Sequence, residues 1–344
     1  MTRMRTRALI AACLVVPVVL AGCSSGGGTT AKPSPSKRPG AAEPASAPSN
    51  TATPAGRVVA VGDKAEGIIY DPITKLVAVA VRNPSRLLLL DGTTLAVRRS
   101  VPLPGVVRHL QLAAPGGPVL APCESANELV EVPLRGDLTL RTTAVGKEPH
   151  DATAVDGGIR VVGDEFGPSL SVVRGGKLIR TITGPASGVE QPGSVIGDGP
   201  DVALVDVKAF TVSTFDPLTG KRLGVVDAGA GPTHGVLADS GVLAVADTRG
   251  DALLTYQLDP LKQTAAIPLA GTPYGVAFDP VKDWVWITLT ALNQVVAFDL
   301  TGSTPREVVR LPTVEQPNTV TVAPGSATVW VTGTRAGSVQ QIKR

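Results

Sequence analysis

Aromatic residues make up only 3% of this 344-residue chain, and charged residues only 18%. A surplus of either charge is missing as well. The formal +3 comes from Arg3, Arg5 and Arg7, which lie in an N-terminal leader; without them 29 basic residues face 29 acidic ones. A protein that holds nucleic acid by its phosphates needs a basic surplus, so nucleic acid is not an expected partner. Cysteine is scarce, with Cys13, Cys23 and Cys123 as the only three. Cys13 leaves with the leader and Cys23 follows it, so no internal disulfide is expected and the fold must hold by packing alone. Cys123 lies in a strand-rich stretch and reads as a small buried hydrophobe rather than a nucleophile. Ser-His-Asp order, a Gly-rich phosphate loop and Cys/His metal spacing are all absent. What is abundant points one way. The 38 Gly and 30 Pro interrupt the chain too often for a helical bundle. Short Val- and Ala-rich strands joined by tight turns fit this composition.

Residues 1–22 have the form of a bacterial export signal. A basic start is followed by an apolar stretch over residues 8–20, too short to span a ~30 Å bilayer core comfortably. It ends in Leu20-Ala21-Gly22-Cys23, which resembles the lipobox of bacterial lipoproteins. The resemblance implies cleavage before Cys23, diacylglycerol on its thiol and acylation of the new amine. Two or three acyl chains hold a protein firmly where one holds it marginally. The expected address is therefore the extracytoplasmic face of the cell membrane, lipid-anchored at Cys23. Residues 24–56 are Ser, Gly, Thr, Ala and Pro with almost no large apolar side chain. Such a segment buries too little surface to offset its ordering entropy, so 23–56 reads as a lipidated cysteine and a disordered tether reaching roughly 30 Å.

Residues 57–344 repeat. Seven units begin at Glu66-Gly67-Ile68, Arg108-His109-Leu110, His150-Asp151-Ala152, Gly193-Ser194-Val195, His234-Gly235-Val236, Tyr274-Gly275-Val276 and Asn318-Thr319-Val320. These anchors are spaced 42, 42, 43, 41, 40 and 44 residues apart. A period of this length with four strands per unit predicts an all-β, seven-bladed β-propeller. In the sixth unit the strands are expected near 275–278, 284–289, 294–299 and 306–311, separated by Asp279-Pro280 and Thr301-Gly302. The seventh unit ends one strand short, while the run 57–62 stands alone before the first unit. Pairing that run into the last blade would close the ring and leave no raw edge.

The blade motifs resemble those of the YVTN-repeat β-propellers. Trp330-Val331-Thr332-Gly333 matches the Tyr/Trp-Val-Thr-Asn pattern, and Trp286-Ile287-Thr288-Leu289 and Ala244-Val245-Ala246-Asp247 occupy the same place in their units. The resemblance implies the fold and leaves the activity open, because this scaffold hosts many.

In a propeller the innermost strands ring a central channel, so the anchors are expected at one mouth. Glu66, Arg108, His150, His234, Tyr274 and Asn318 are the candidate ligand-contacting residues there. The loops between second and third strands should bring Arg82, Glu124, Glu165, Asp206, Asp247, Arg249, Asn293 and Arg335 to the same end.

Three functions are compatible with this pattern. The first is a membrane-anchored binding or scaffold module for a protein, glycan or small-molecule ligand, without enzymatic activity. The second follows from Ala65-Glu66-Gly67-Ile68-Ile69-Tyr70-Asp71, which is similar to the opening motif of the gluconolactonase-type propellers. Pro317-Asn318 and Val245-Ala246-Asp247 are similar to two further segments of that family, and together the resemblance implies Glu66, Asp247 and Asn318 as ligands of Ca²⁺ or Mg²⁺ in a lactonase or hydrolase. Those propellers have six blades, and Ile68 stands where they have Pro. The third is a lyase similar to the streptogramin-inactivating propellers, with His150 and His234 as acid and base beside a cation. That family's Trp-Phe-Thr-Glu-type blade motif is absent.

Overall fold

The computed structural model describes residues 39–302, 304–326 and 328–344. Among them are seven antiparallel sheets of four strands each, one per sequence unit: a seven-bladed β-propeller. The innermost strands of blades two to seven pack in succession, and Pro317–Val322 of blade seven returns against Ile68–Tyr70 of blade one.

The strand sequences explain the layering. Second strands such as Leu76–Val81, Val242–Asp247 and Trp284–Leu289 are nearly continuous apolar runs, and all but their first residues are buried. Such runs suit strands covered on both faces, here by the blades on either side. Outer strands such as Lys221–Asp227 are mostly exposed and mix charged with apolar residues. The core is therefore a set of inter-blade layers. One joins Trp286, Val295 and Ala297 of blade six to Val320, Val329 and Val331 of blade seven. Another joins Val77, Val79 and Leu90 of blade one to Trp330 and Val339 of blade seven. In it Tyr70 stacks on Trp330 at 4.8 Å. Cys123 is fully buried in a third layer and its thiol is pushed up to about 12 by burial, so it is a core residue and not a nucleophile.

The ring closes as the repeat count requires. Arg57–Ala60 pairs antiparallel with Ser338–Ile342, placing the orphan run as the outer strand of blade seven.

One expectation is corrected. Within the expected tether, residues 39–56 are not loose but lie along the anchor end of blades five to seven. The Gly40 carbonyl accepts from Arg249 at 2.7 Å, and the Ala45 amide donates to Thr290 at 3.0 Å. Gln316 is bonded twice, accepting from the Ala47 amide at 3.0 Å and donating to the Ala45 carbonyl at 2.9 Å. Asn293 donates to the Pro48 carbonyl at 2.8 Å, and the Asn50 amide donates to Glu315 at 3.0 Å. The segment lacks apolar bulk, but its backbone supplies hydrogen-bonding groups that the mouth side chains satisfy. Lipidation at Cys23, the leader and residues 24–38 lie outside the described residues.

Candidate functional site

Two features of the inner strands build the site. In blades three to seven the strand begins with a proline, at Pro149, Pro192, Pro232, Pro273 and Pro317, and the pairing register shifts just after it. A shift of this kind re-aims side chains that simple alternation would send to opposite faces. The anchor residue and its successor can then both serve the channel. The second feature is small residues beside the axis. A Cβ on Gly275 would lie 2.4 Å from the Asn318 carbonyl oxygen, so the close approach of two inner strands requires glycine there.

The anchors form a layer of charge. Arg108 donates from Nε to Glu124 at 2.6 Å and from Nη2 to Glu165 at 2.8 Å. The Nδ1 of His150 lies 3.0 Å from the same Glu124 oxygen and 3.2 Å from Glu165. Gln191 donates to the other Glu165 oxygen at 2.9 Å. Burial alone would lower His150, but the two carboxylates outweigh it and push the imidazole up to about 9. Burial alone would raise Glu165, but His150 and Arg108 pull it down to about 2. Two cations thus balance two carboxylates. In blade one, next in the ring, Glu66 pairs with Arg82 and accepts from Asn318 of blade seven at 3.2 Å.

This layer is covered. Ala41, Ala42 and Glu43 sit over Arg108, His150, Glu165 and Tyr274, leaving a space of about 20 Å³, roughly one water. Glu66, His150, His234, Tyr274 and Asn318 are all buried, and Arg108 is partly so. The structure does bring the expected mouth residues to one end, but it closes that end instead of presenting it.

The accessible space lies beyond it. A cavity of about 440 Å³ runs down the axis to the opposite mouth, where Pro115, Asp239 and Pro280 are exposed. Its walls are the apolar inner-strand residues, among them Ile68, Ile196, Val276 and Phe278. Polar groups gather at its closed end: His109, Gln111, Asp151, Ser194 and His234. Of the six expected mouth residues, only His234 lines it. Asp151 accepts from Gln111 at 3.0 Å, Ser194 at 3.1 Å and the Val195 amide at 3.0 Å. Burial still raises its carboxyl above the usual range.

His109 was not among the expected residues. Its Nε2 lies 3.1 Å from the Nε2 of His234, and its ring centroid is 4.5 Å from that of His150. His234 places Nδ1 3.2 Å from the Tyr274 carbonyl oxygen. Burial pushes His234 down to about 3 and His109 well below the usual range, with the positive His150 adding to both. These two imidazoles are neutral and separate the charged layer from the cavity.

Of the expected Glu66, Asp247 and Asn318 cation set, Glu66 and Asn318 are bonded to each other, while Asp247 is engaged elsewhere. Both oxygens of Asp247 accept backbone amides, from Ala230 at 2.9 Å, Gly231 at 2.8 Å and Gly250 at 3.0 Å. Asp206 does the same in blade four for Glu190, Gln191 and Ala209. These aspartates hold inter-blade loops, a structural use of the carboxylate.

No family model matches the chain, and no curated protein matches it. Solved structures do. A chain of Kuenenia stuttgartiensis hydrazine synthase superposes with a TM-score of 0.70 at 16% identity, over 82% of this chain and 96% of that one. Virginiamycin B lyase from Staphylococcus aureus gives 0.69 at 13% identity, over 84% and 99%. The β-propeller domain of Myceliophteria thermophila Cps50 (Swd1) gives 0.69 at 14%, over 84% and 98%. At these identities the likeness is one of fold.

Proposed function

We propose that the protein is a lipid-anchored, extracytoplasmic binding propeller that takes a small, largely apolar ligand into the axial cavity. The cavity carries this reading. At about 440 Å³ it falls in the range of roughly 300–1,000 Å³ usual for small-ligand sites. Apolar walls ending in a few convergent polar groups are what such a site needs to bind and orient a ligand. Anchoring rests on the Leu20-Ala21-Gly22-Cys23 motif. No helix of the described residues is long and apolar enough to cross a membrane.

A thermal-shift screen of small molecules on the detergent-solubilised mature protein and on Ala277→Trp, which fills the cavity, tests the reading. Ligands that stabilise the wild type and not the variant support it. Ligands that stabilise both equally bind elsewhere and overturn it. Cys23→Ser should move the protein to the soluble fraction; retention in membranes after a high-salt wash would place the anchor elsewhere.

A second reading, a lyase, is favoured by one observation. His109 and His234 both stand on the cavity wall, where the acid–base side chains of a lyase would meet a bound ligand. Conversion, rather than stable binding, of a ligand found in the screen would decide for it.

A further inference from the structure

The chain has three histidines, and all three meet on the channel axis, although they come from blades two, three and five. One ring nitrogen of each lies within 4.8 Å of the other two. From this juxtaposition we propose that His109, His150 and His234 form a three-imidazole site for one divalent transition-metal ion of the zinc or copper type. The ion's remaining coordination position faces the axial cavity. This inference does not rest on the small-ligand reading; the site would bind the ion alone.

Three observations carry it. The first is spacing. A tetrahedral ion with metal–nitrogen bonds of about 2.0–2.1 Å places its ligand nitrogens about 3.3 Å apart. The Nε2 atoms of His109 and His234 are 3.1 Å apart, so two of the three ligands already stand at that separation. His150, with its ring 4.5 Å from that of His109, closes the set by a small approach.

The second is orientation of the rings from behind. A ligating imidazole typically donates its other N–H to a carbonyl or carboxylate, which fixes the tautomer and turns the lone pair to the metal. His234 directs Nδ1 to the Tyr274 carbonyl, leaving Nε2 as the lone-pair atom that faces His109. His150 directs Nδ1 to Glu124 and Glu165, leaving its other nitrogen for the axis. Arg108 and Gln191 hold those carboxylates in turn. On binding, the ion takes the place of the second ring proton of His150, which leaves to solvent.

The third is access and donor chemistry. His109 and His234 line the cavity, so an ion reaches them from the open mouth while the other mouth is covered. Three neutral nitrogens suit zinc, copper, nickel or cobalt and disfavour Ca²⁺ and Mg²⁺, which take oxygen.

The test is competition titration of the untagged, chelator-stripped mature protein with Zn²⁺ and Cu²⁺ against a chromophoric chelator. The expected result is one ion per chain, unaffected by excess Mg²⁺ or Ca²⁺. His109→Gln and His234→Gln should each weaken binding at least about 100-fold. Glu165→Gln, which only orients His150, should weaken it about 10–100-fold. Circular dichroism reports that each variant is folded; if His234→Gln unfolds, His109→Gln, on the half-buried and cavity-facing residue, decides alone. No binding by the wild type, or binding unchanged in folded His109→Gln, would overturn the proposal.

Discussion

The two ends of the central channel are made from the same seven strands and could hardly differ more. Where the strands begin, Arg108, Glu124, His150, Glu165, Glu66 and Arg82 pair off under a cover supplied by residues 39–50. Where they finish, Val276, Phe278 and Pro280 give an apolar vestibule with an exposed rim. Charge at a propeller mouth therefore does not mark the open end. Buried cations and carboxylates in balance are satisfied by one another, and the cover lies over them. The apolar end keeps uncovered hydrophobic surface, which is what a ligand can cover.

Removing the closing strand should disturb both ends at once. Deleting residues 57–60 strips the outer edge from blade seven and should lower the melting temperature by many degrees. An unchanged melting curve would show that the ring does not depend on that strand.

Next in size is a change confined to the charged end. Arg108→Met leaves Glu124 and Glu165 facing each other with only His150 between them. Losing one partner of a buried ion pair costs about 3–5 kcal/mol, and denaturant unfolding should show a loss near the lower bound because Arg108 is partly exposed. Ala277→Trp at the open end should cost clearly less.

A finer comparison lies between two adjacent carboxylates. Glu165 has cations and is held at about 2; Asp164 has none and burial raises it to about 6, against hydrogen bonds from Ser169, Ser171 and the Gly146 amide. A raised carboxyl contributes stability below its unfolded value of 3.8 that is lost as pH rises through 6. Wild type should therefore lose roughly 2–3 kcal/mol relative to Asp164→Asn between pH 4 and pH 7.5, measured by denaturant titration. A pH-independent difference would mean that the Asp164 carboxyl is solvated.

The smallest effect is expected at the cover. Gln316→Ala removes both of its bonds to the segment and should cost about 1–2 kcal/mol, with faster proteolytic nicking within residues 40–50. Equal nicking rates would deny the cover its anchor.

How much of this was legible follows the same division. The repeat spacing located every inner strand, and the orphan run 57–62 announced the closure, because each blade must hide the apolar faces of its neighbours. Anchors such as His150 and His234 were legible because position in the repeat fixes proximity to the axis. His109 was not, since strand alternation sends the residue after an anchor away from the channel. The same position in other blades holds Gly67, Gly235 and Gly275, each with a neighbouring strand or side chain close against it, so nothing in the repeat marked that position as one facing the axis. The cover was illegible because its composition is that of a tether. What holds it is backbone hydrogen bonding to scattered residues such as Thr290, Asn293 and Gln316, and no local pattern records such partners.

The central claim is that the channel opens at the apolar end and is closed at the charged one. Thiol-labelling rates of Ala277→Cys, on the cavity wall, and Asn318→Cys, buried at the charged end, test it directly in a Cys13→Ser, Cys23→Ser background, where Cys123 is buried. Labelling of Ala277→Cys should be fast, and that of Asn318→Cys slower by orders of magnitude until residues 39–50 are removed. Equal rates, or faster labelling at position 318 in the intact chain, would contradict it.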